Sequence, residues 1–285
     1  MPDDLTIVAV DWSGDATAAG QRTRIWMAVV ADGGPVELSC GRTRAQVVGE
    51  VASLRGRAVV GLDFSFAFPA WVPACRGCSQ ARDVWALAQA EGEDWLRHSP
   101  APFWREAGTK PAVPGLRRTE EQNPPAQSIF KLVGNGQVGP GSVRGMPFLG
   151  SLQDSGWSIW PFDAPGDRTI VEIYPRLAKD LHGLPAWGHD PPTAVATLEA
   201  HFPAAGLRRH RDRLASSLDA FDAAVAALVM WEHRDDLVAL ARATDPLTLI
   251  EGEIWRPRRI RAPGRQDPRR GVGENPGPGM AAARS

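Results

Sequence analysis

The hydrophobic pattern begins with Thr6-Ile7-Val8-Ala9-Val10, an apolar run with no polar alternation that closes on Asp11-Trp12-Ser13-Gly14. A run of this kind predicts a strand covered on both faces, ended by the small residues that follow. The same design returns in Val59-Val60-Gly61-Leu62 followed by Asp63-Phe64-Ser65. Between the two, Asp15 to Gln21 reads as a turn, Arg24 to Val30 as a second strand, and Val36 to Cys40 as a half-exposed third after the turn Asp32-Gly33-Gly34-Pro35. Thr43 and Gln46 form a capping box ahead of Val47, Val48, Val51, Ala52 and Leu54, which recur at helical spacing. Three antiparallel strands and a helical crossover therefore precede the strand from Ala58 to Asp63. A crossover of that length permits parallel pairing with the first strand, which brings Asp11 and Asp63 side by side.

From Phe64 to about Gly141 regular periodicity is lost, apart from a predicted helix from Ser79 to Leu96. The segment is rich in Trp, Phe and Pro, and reads as an ordered insertion over one edge of the sheet. A helix follows from Ser142 to Ser155, with Pro147 expected to kink or divide it. Ser158 to Phe162 and Thr169 to Pro175 read as strands, and Thr193 to Phe202 as a short helix. Ser216 or Ser217 caps a further helix, Leu218 to Trp231, that is apolar nearly all round and must be buried. Leu247 to Trp255 reads as a strand or edge hairpin. Beyond Pro257 the composition turns to Arg, Pro and Gly and predicts a disordered tail over 258–285. The fold class is α/β: a mixed five-stranded sheet flanked by helices, in one domain over 1–257 with an insertion at about 64–141.

Composition narrows the function little. The 285 residues carry a formal net charge of -1, which gives no global signature for nucleic acid. Arg dominates the cations, and Lys occurs only at Lys110, Lys131 and Lys179. Cys40, Cys75 and Cys78 are too few and odd in number for a disulfide framework, and with no apolar run of membrane-spanning length the expectation is a cytoplasmic protein.

The chemistry lies in acids. Asp219 and Asp222 stand three apart on the late apolar helix and so share a face, where two like charges need a cation or firm donors nearby. Asp219 alone fits a first-turn acid meeting the helix dipole, and Asp11 and Asp63 alone fit turn formers at strand ends. Taken together with Asp11 and Asp63, the set predicts a site for a hard cation, Mg²⁺ or Mn²⁺, with oxygen ligands only. Two such ions suit phosphodiester hydrolysis. Glu172 sits inside an apolar run and has two readings, a catalytic acid or a buried partner of an arginine such as Arg176.

The order of elements and the motifs Val10-Asp11-Trp12-Ser13-Gly14, Gly61-Leu62-Asp63, Gly145-Met146-Pro147, Val171-Glu172-Ile173-Tyr174-Pro175, Asp219-Ala220-Phe221-Asp222-Ala223 and Ile254-Trp255-Arg256-Pro257 resemble the family called domain of unknown function 429, described as predicted RNase-H-like nucleases. The resemblance runs from about Ile7 to Pro257. It implies a ribonuclease-H-like fold, and the similarity of the acid pattern to Holliday-junction resolvases implies Asp11, Asp63, Asp219 and Asp222 as metal ligands of a nuclease. Those resolvases usually carry Glu at the position of Asp63. Two other classes share the strand order: an actin-like ATPase or kinase, and a binding module that keeps the fold without its chemistry.

Gly134-Asn135-Gly136-Gln137-Val138-Gly139 matches a dinucleotide fingerprint in spacing but lacks a βαβ unit, and reads better as a phosphate-holding loop ahead of a helix. Lys131 and Arg144 flank it as candidate contacts to nucleic acid, DNA or RNA. Trp12 and Phe64, each beside a proposed ligand, are candidates for stacking on a base. Cys75-x-x-Cys78 has no second pair and reads as two reduced thiols.

Overall fold

A computed structural model describes residues 4–258 except 107, 111 and 135. The tail expected over 258–285 lies outside the described residues from Arg259 onward, as does Asn135 of the glycine-rich loop. The chain runs β1 (Leu5–Asp11), α1 (Ala18–Arg24), β2 (Trp26–Ala31), β3 (Glu37–Ser39), α2 (Arg44–Ser53), β4 (Arg57–Leu62), α3 (Trp71–Cys75), α4 (Ala81–His98), α5 (Arg118–Glu121) and α6 (Gly139–Asp154). It continues with β5 (Ser158–Ile159), β6 (Arg168–Glu172), α7 (Pro175–Leu181), α8 (Pro191–His201), α9 (Arg211–Ser216), α10 (Leu218–Glu232), α11 (Arg234–Val238) and α12 (Thr248–Glu251).

The strands form one mixed sheet in the order β3-β2-β1-β4-β6-β5. β1 is antiparallel to β2 and parallel to β4, and β4, β6 and β5 continue in parallel. The sheet has six strands where the sequence predicts five. β5 falls within the stretch Ser158 to Phe162 read as a strand and is a two-residue edge, with Trp160 N–H adding one more bond to Ile170 O at 2.9 Å. Leu247 to Trp255 is not a strand: Asp245 accepts from Thr248 N–H at 2.9 Å and starts the turn α12, leaving only a bridge between Ile254 and Glu172. Asp15 to Gln21 is not a simple turn either, because Thr17 caps α1 by accepting from Gly20 N–H at 3.0 Å. That helix buries only Gln21, so it leaves no apolar period to read. α6 begins at Gly139 and runs through Pro147 as one helix.

Alternation along β1 explains why its sequence looks uniformly apolar. Ile7 and Ala9 enter one core with the apolar body of α10, while Val8 and Val10 enter a second with α2, α4 and α6. The insertion belongs to this second core. Phe66, Phe68, Trp85, Trp95, Phe103 and Phe130 pack there with Val60 and Leu62, so it covers a face of the sheet rather than an edge. The capping box of α2 is formed as expected, with Thr43 N–H donating to Gln46 Oε1 at 2.9 Å; such a cap contributes about 1 kcal/mol. Among the described residues no helix is long and apolar enough to cross a membrane.

Candidate functional site

The parallel strands β1, β4 and β6 end together, and each ends in or beside an acid. Val10 pairs with Leu62 and Leu62 with Glu172, and Asp63 N–H extends the ladder to Val10 O at 3.1 Å. Asp11 and Asp63 are therefore neighbours at the carboxyl edge of the sheet, where open α/β sheets commonly bind ligands. Across from them stands α10, capped by Ser217, whose hydroxyl accepts from Ala220 N–H at 3.2 Å. Its first two turns present Asp219 and Asp222.

Asp11 and Asp63 both feel the charges of Asp219 and Asp222. Burial, then the charges of Asp63, Asp222 and Asp219, push the Asp11 carboxyl well above the usual carboxylate range. Burial and then Asp222, Glu172 and Asp219 raise Asp63 likewise, with Lys179 pulling it back. Asp219 is raised by burial and by Asp222, and relieved by Arg24. Asp222 is raised by burial, and the Lys179 ammonium, 2.7 Å from its Oδ1, opposes the shift.

A cleft of about 390 Å³ opens over this edge. Asp11, Asp63, Glu172, Tyr174 and Asp219 line it, as do Arg117, Glu120, Gln127, Gly136 to Val138, Pro140 and Gly141 from the insertion. The first-strand loop and the start of α6 approach closely there. A Cβ on Gly14 would lie 2.6 Å from Gly141 N and 2.7 Å from the Pro140 carbonyl carbon, so only glycine permits the contact.

The other predicted residues take different places. Glu172 is not partnered by Arg176, which pairs with Asp180 at 3.2 Å. It is held by the fully buried Arg117, whose Nη1 donates to Oε2 at 2.8 Å and whose Nη2 contacts Oε1, and Phe66 N–H adds a bond at 2.9 Å. Arg117 Nε also donates to Glu120 Oε1 at 2.9 Å, and Nη1 to the Glu251 carbonyl at the same distance. Trp12 and Phe64 are largely buried against each other with ring centroids 5.0 Å apart, and both border the cleft. Arg144 pairs with Glu93 through Nε at 2.7 Å and also reaches the carbonyl of Gly14, which borders the cleft. Lys131 donates to Gln127 at 3.2 Å, and it is Gln127 that borders the cleft. Ile129 to Val133 contributes one bridge, Lys131 to Trp104, and no strand, so the glycine-rich loop has no βα unit ahead of it. Cys75 and Cys78 form no disulfide.

The sequence reading missed Lys179, Arg24, Arg117 and Tyr174. Lys179 carried a signal, being one of three lysines in an arginine-rich chain, and Tyr174 is the chain's single tyrosine. Because Lys179 neutralises a nearly buried carboxylate, Lys179→Met is expected to destabilise the fold by about 3 kcal/mol. Urea denaturation at neutral pH measures it, and an unchanged midpoint would show that Asp222 needs no counter-charge.

Among the described residues, three donors whose ligand atoms all lie within 4.8 Å of one another occur in His182, His201 and Glu232, and not among the cleft acids. No family model matches the chain, no curated protein matches it, and no solved structure matches it.

Proposed function

We propose that the cleft is a divalent-metal-dependent phosphodiesterase site, most simply that of a nuclease of the RNase-H-like kind. The observation that carries this reading is the convergence of Asp11 and Asp63, from adjacent parallel strands, with Asp219 and Asp222 from one helix face, offset mainly by Lys179. An all-oxygen donor set with more negative charge than its neighbouring cations offset fits Mg²⁺ or Mn²⁺ and suits zinc poorly. When bound, such ions supply positive charge that lowers the pKa of water and stabilises the leaving oxygen.

The protein's own residues do the rest. Asp11, Asp63, Asp219 and Asp222 would hold the ions, on rigid elements whose register fixes their relative positions. Lys179 orients Asp222 through its 2.7 Å contact and limits repulsion before any cation arrives. Glu172, held on both oxygens by Arg117, positions the end of β6 beside Asp63 and is not assigned as a ligand. The N-terminus of α6 borders the cleft, and its dipole favours a phosphate of the substrate there. The partner class that this chemistry fits is nucleic acid.

Calorimetric titration of Mn²⁺ and Mg²⁺ into the wild type and into Asp219→Asn/Asp222→Asn tests the site. Binding to the wild type that is lost in the variant is the expected result, together with Mn²⁺-dependent cleavage of DNA or RNA. Nucleic-acid affinity unaffected by Mg²⁺, with no cleavage, would instead identify a binding module, and ATP binding with phosphate release would identify an actin-like enzyme.

A further inference from the structure

A second constellation lies where three helices end. His182 caps the C-terminus of α7, His201 is the last residue of α8, and Glu232 is the last residue of α10. His182 Nδ1 is 3.4 Å from His201 Nε2 and 3.5 Å from Glu232 Oε2. His233, the cap of α10, brings a third imidazole, its ring centroid 5.4 Å from that of His182. Half of the chain's six histidines thus gather at one point.

Two buried polar atoms of this cluster have no hydrogen-bond partner. Glu232 Oε2 is buried and has no hydrogen-bond partner, since the His182 contact is not aligned as a hydrogen bond. Nε2 of His233, a residue only 8% exposed, is likewise buried without a partner. Burying a carboxylate oxygen unpaired is costly, and two imidazole nitrogens facing each other at 3.4 Å gain only if a proton or a cation sits between them. Three helix C-termini add negative potential from their free carbonyls, which favours positive charge.

We infer that His182, His201 and Glu232 form a site for a borderline transition-metal ion of the Zn²⁺ class, separate from the acidic cleft. Two imidazoles and a carboxylate are ligands that Zn²⁺ prefers and Mg²⁺ does not. Tetrahedral bonds of about 2.0–2.1 Å put neighbouring donors roughly 3.3 Å apart, close to the two spacings already in place. His201 is exposed, so the fourth position opens to solvent. The ion would clip the ends of α7, α8 and α10 together. Because α7 carries Lys179 and α10 carries Asp219 and Asp222, the clip fixes the two helices that complete the cleft.

The test uses the full chain, stripped of metal and then saturated with Mg²⁺ so that hard-cation sites are filled. Zn²⁺ is titrated by calorimetry, and Co²⁺ is followed by its visible absorption. One equivalent is expected to bind, with an intense tetrahedral Co²⁺ band and a raised melting temperature. His201→Gln, a surface change that leaves the fold intact, is expected to weaken binding at least about 100-fold and abolish the band, and Glu232→Gln to weaken it similarly. Asp219→Asn/Asp222→Asn is expected to retain the Zn²⁺ equivalent. Absence of binding to the wild type, equal binding by His201→Gln, or loss of the equivalent only in the aspartate variant would each overturn the assignment.

Discussion

Arg117→Met is expected to destabilise the protein by about 3–5 kcal/mol, lowering its melting temperature by on the order of 10 °C. Arg117 is wholly buried. Burial alone would depress its pKa, but Glu120 and Glu172 hold it charged and raise it instead. Removing it strands both acids: burial already pushes the Glu120 carboxyl up, and the guanidinium beside it is what pulls it back. The damage extends beyond one ion pair, because Arg117 joins the insertion to β6 through Glu172 and to α12 through the Glu251 carbonyl. Glu251 returns the tie by accepting from Ala70 N–H and Arg118 N–H, each at 2.7 Å. Thermal melts of Arg117→Met and of Arg117→Met/Glu120→Gln/Glu172→Gln separate the causes. Much of the loss should return in the triple variant, since a neutral cluster no longer buries unpaired charge. A single variant as stable as the wild type would show that the cluster is solvated or dispensable.

How much of this was legible follows from range. The sheet centre was readable because local patterns sufficed: an apolar run ending in Asp, a capping box, a crossover of the right length, then a second such run. From these the adjacency of Asp11 and Asp63 followed, and the register bears it out. Asp219 and Asp222 were readable as a pair from their spacing of three. Arg117 was not, since it lies 55 residues from its partner Glu172 in an insertion without periodicity, and the nearer Arg176 offered a false partner already paired with Asp180. Trp12 and Phe64, each beside an acid in sequence, border the cleft, and they pack on each other as two aromatics at strand ends do when a core lies below. Lys179 and the histidine cluster depend on how helices meet across the fold, which no local pattern encodes.

Asp63→Asn is expected to abolish metal-dependent cleavage, by at least about 10³-fold or roughly 4 kcal/mol of barrier, while making the metal-free protein more stable. The two effects have one origin. Asp63 is raised by burial and by the charges of Asp222 and Glu172, so ionising it in the folded state is opposed. A carboxyl raised on folding stabilises the fold while protonated, fully so below its unfolded value near 3.8, and that contribution is lost as pH rises through the folded value. Above that window the wild type carries the penalty and the amide does not. Asn at this position should therefore gain about 1 kcal/mol at neutral pH, a rise of about 2–4 °C in melting temperature, and flatten the fall of stability with pH. Saturating Mn²⁺ should reverse the order, because a cation bound by the ionised cluster stabilises the wild type and not the variant. Melting curves of both proteins across pH 4 to 8, with EDTA and with Mn²⁺, measure all of this. A variant less stable than the wild type in EDTA would mean that Asp63 is a structural acid satisfied by hydrogen bonds, and the reading of the cleft as a metal site would lose its electrostatic basis.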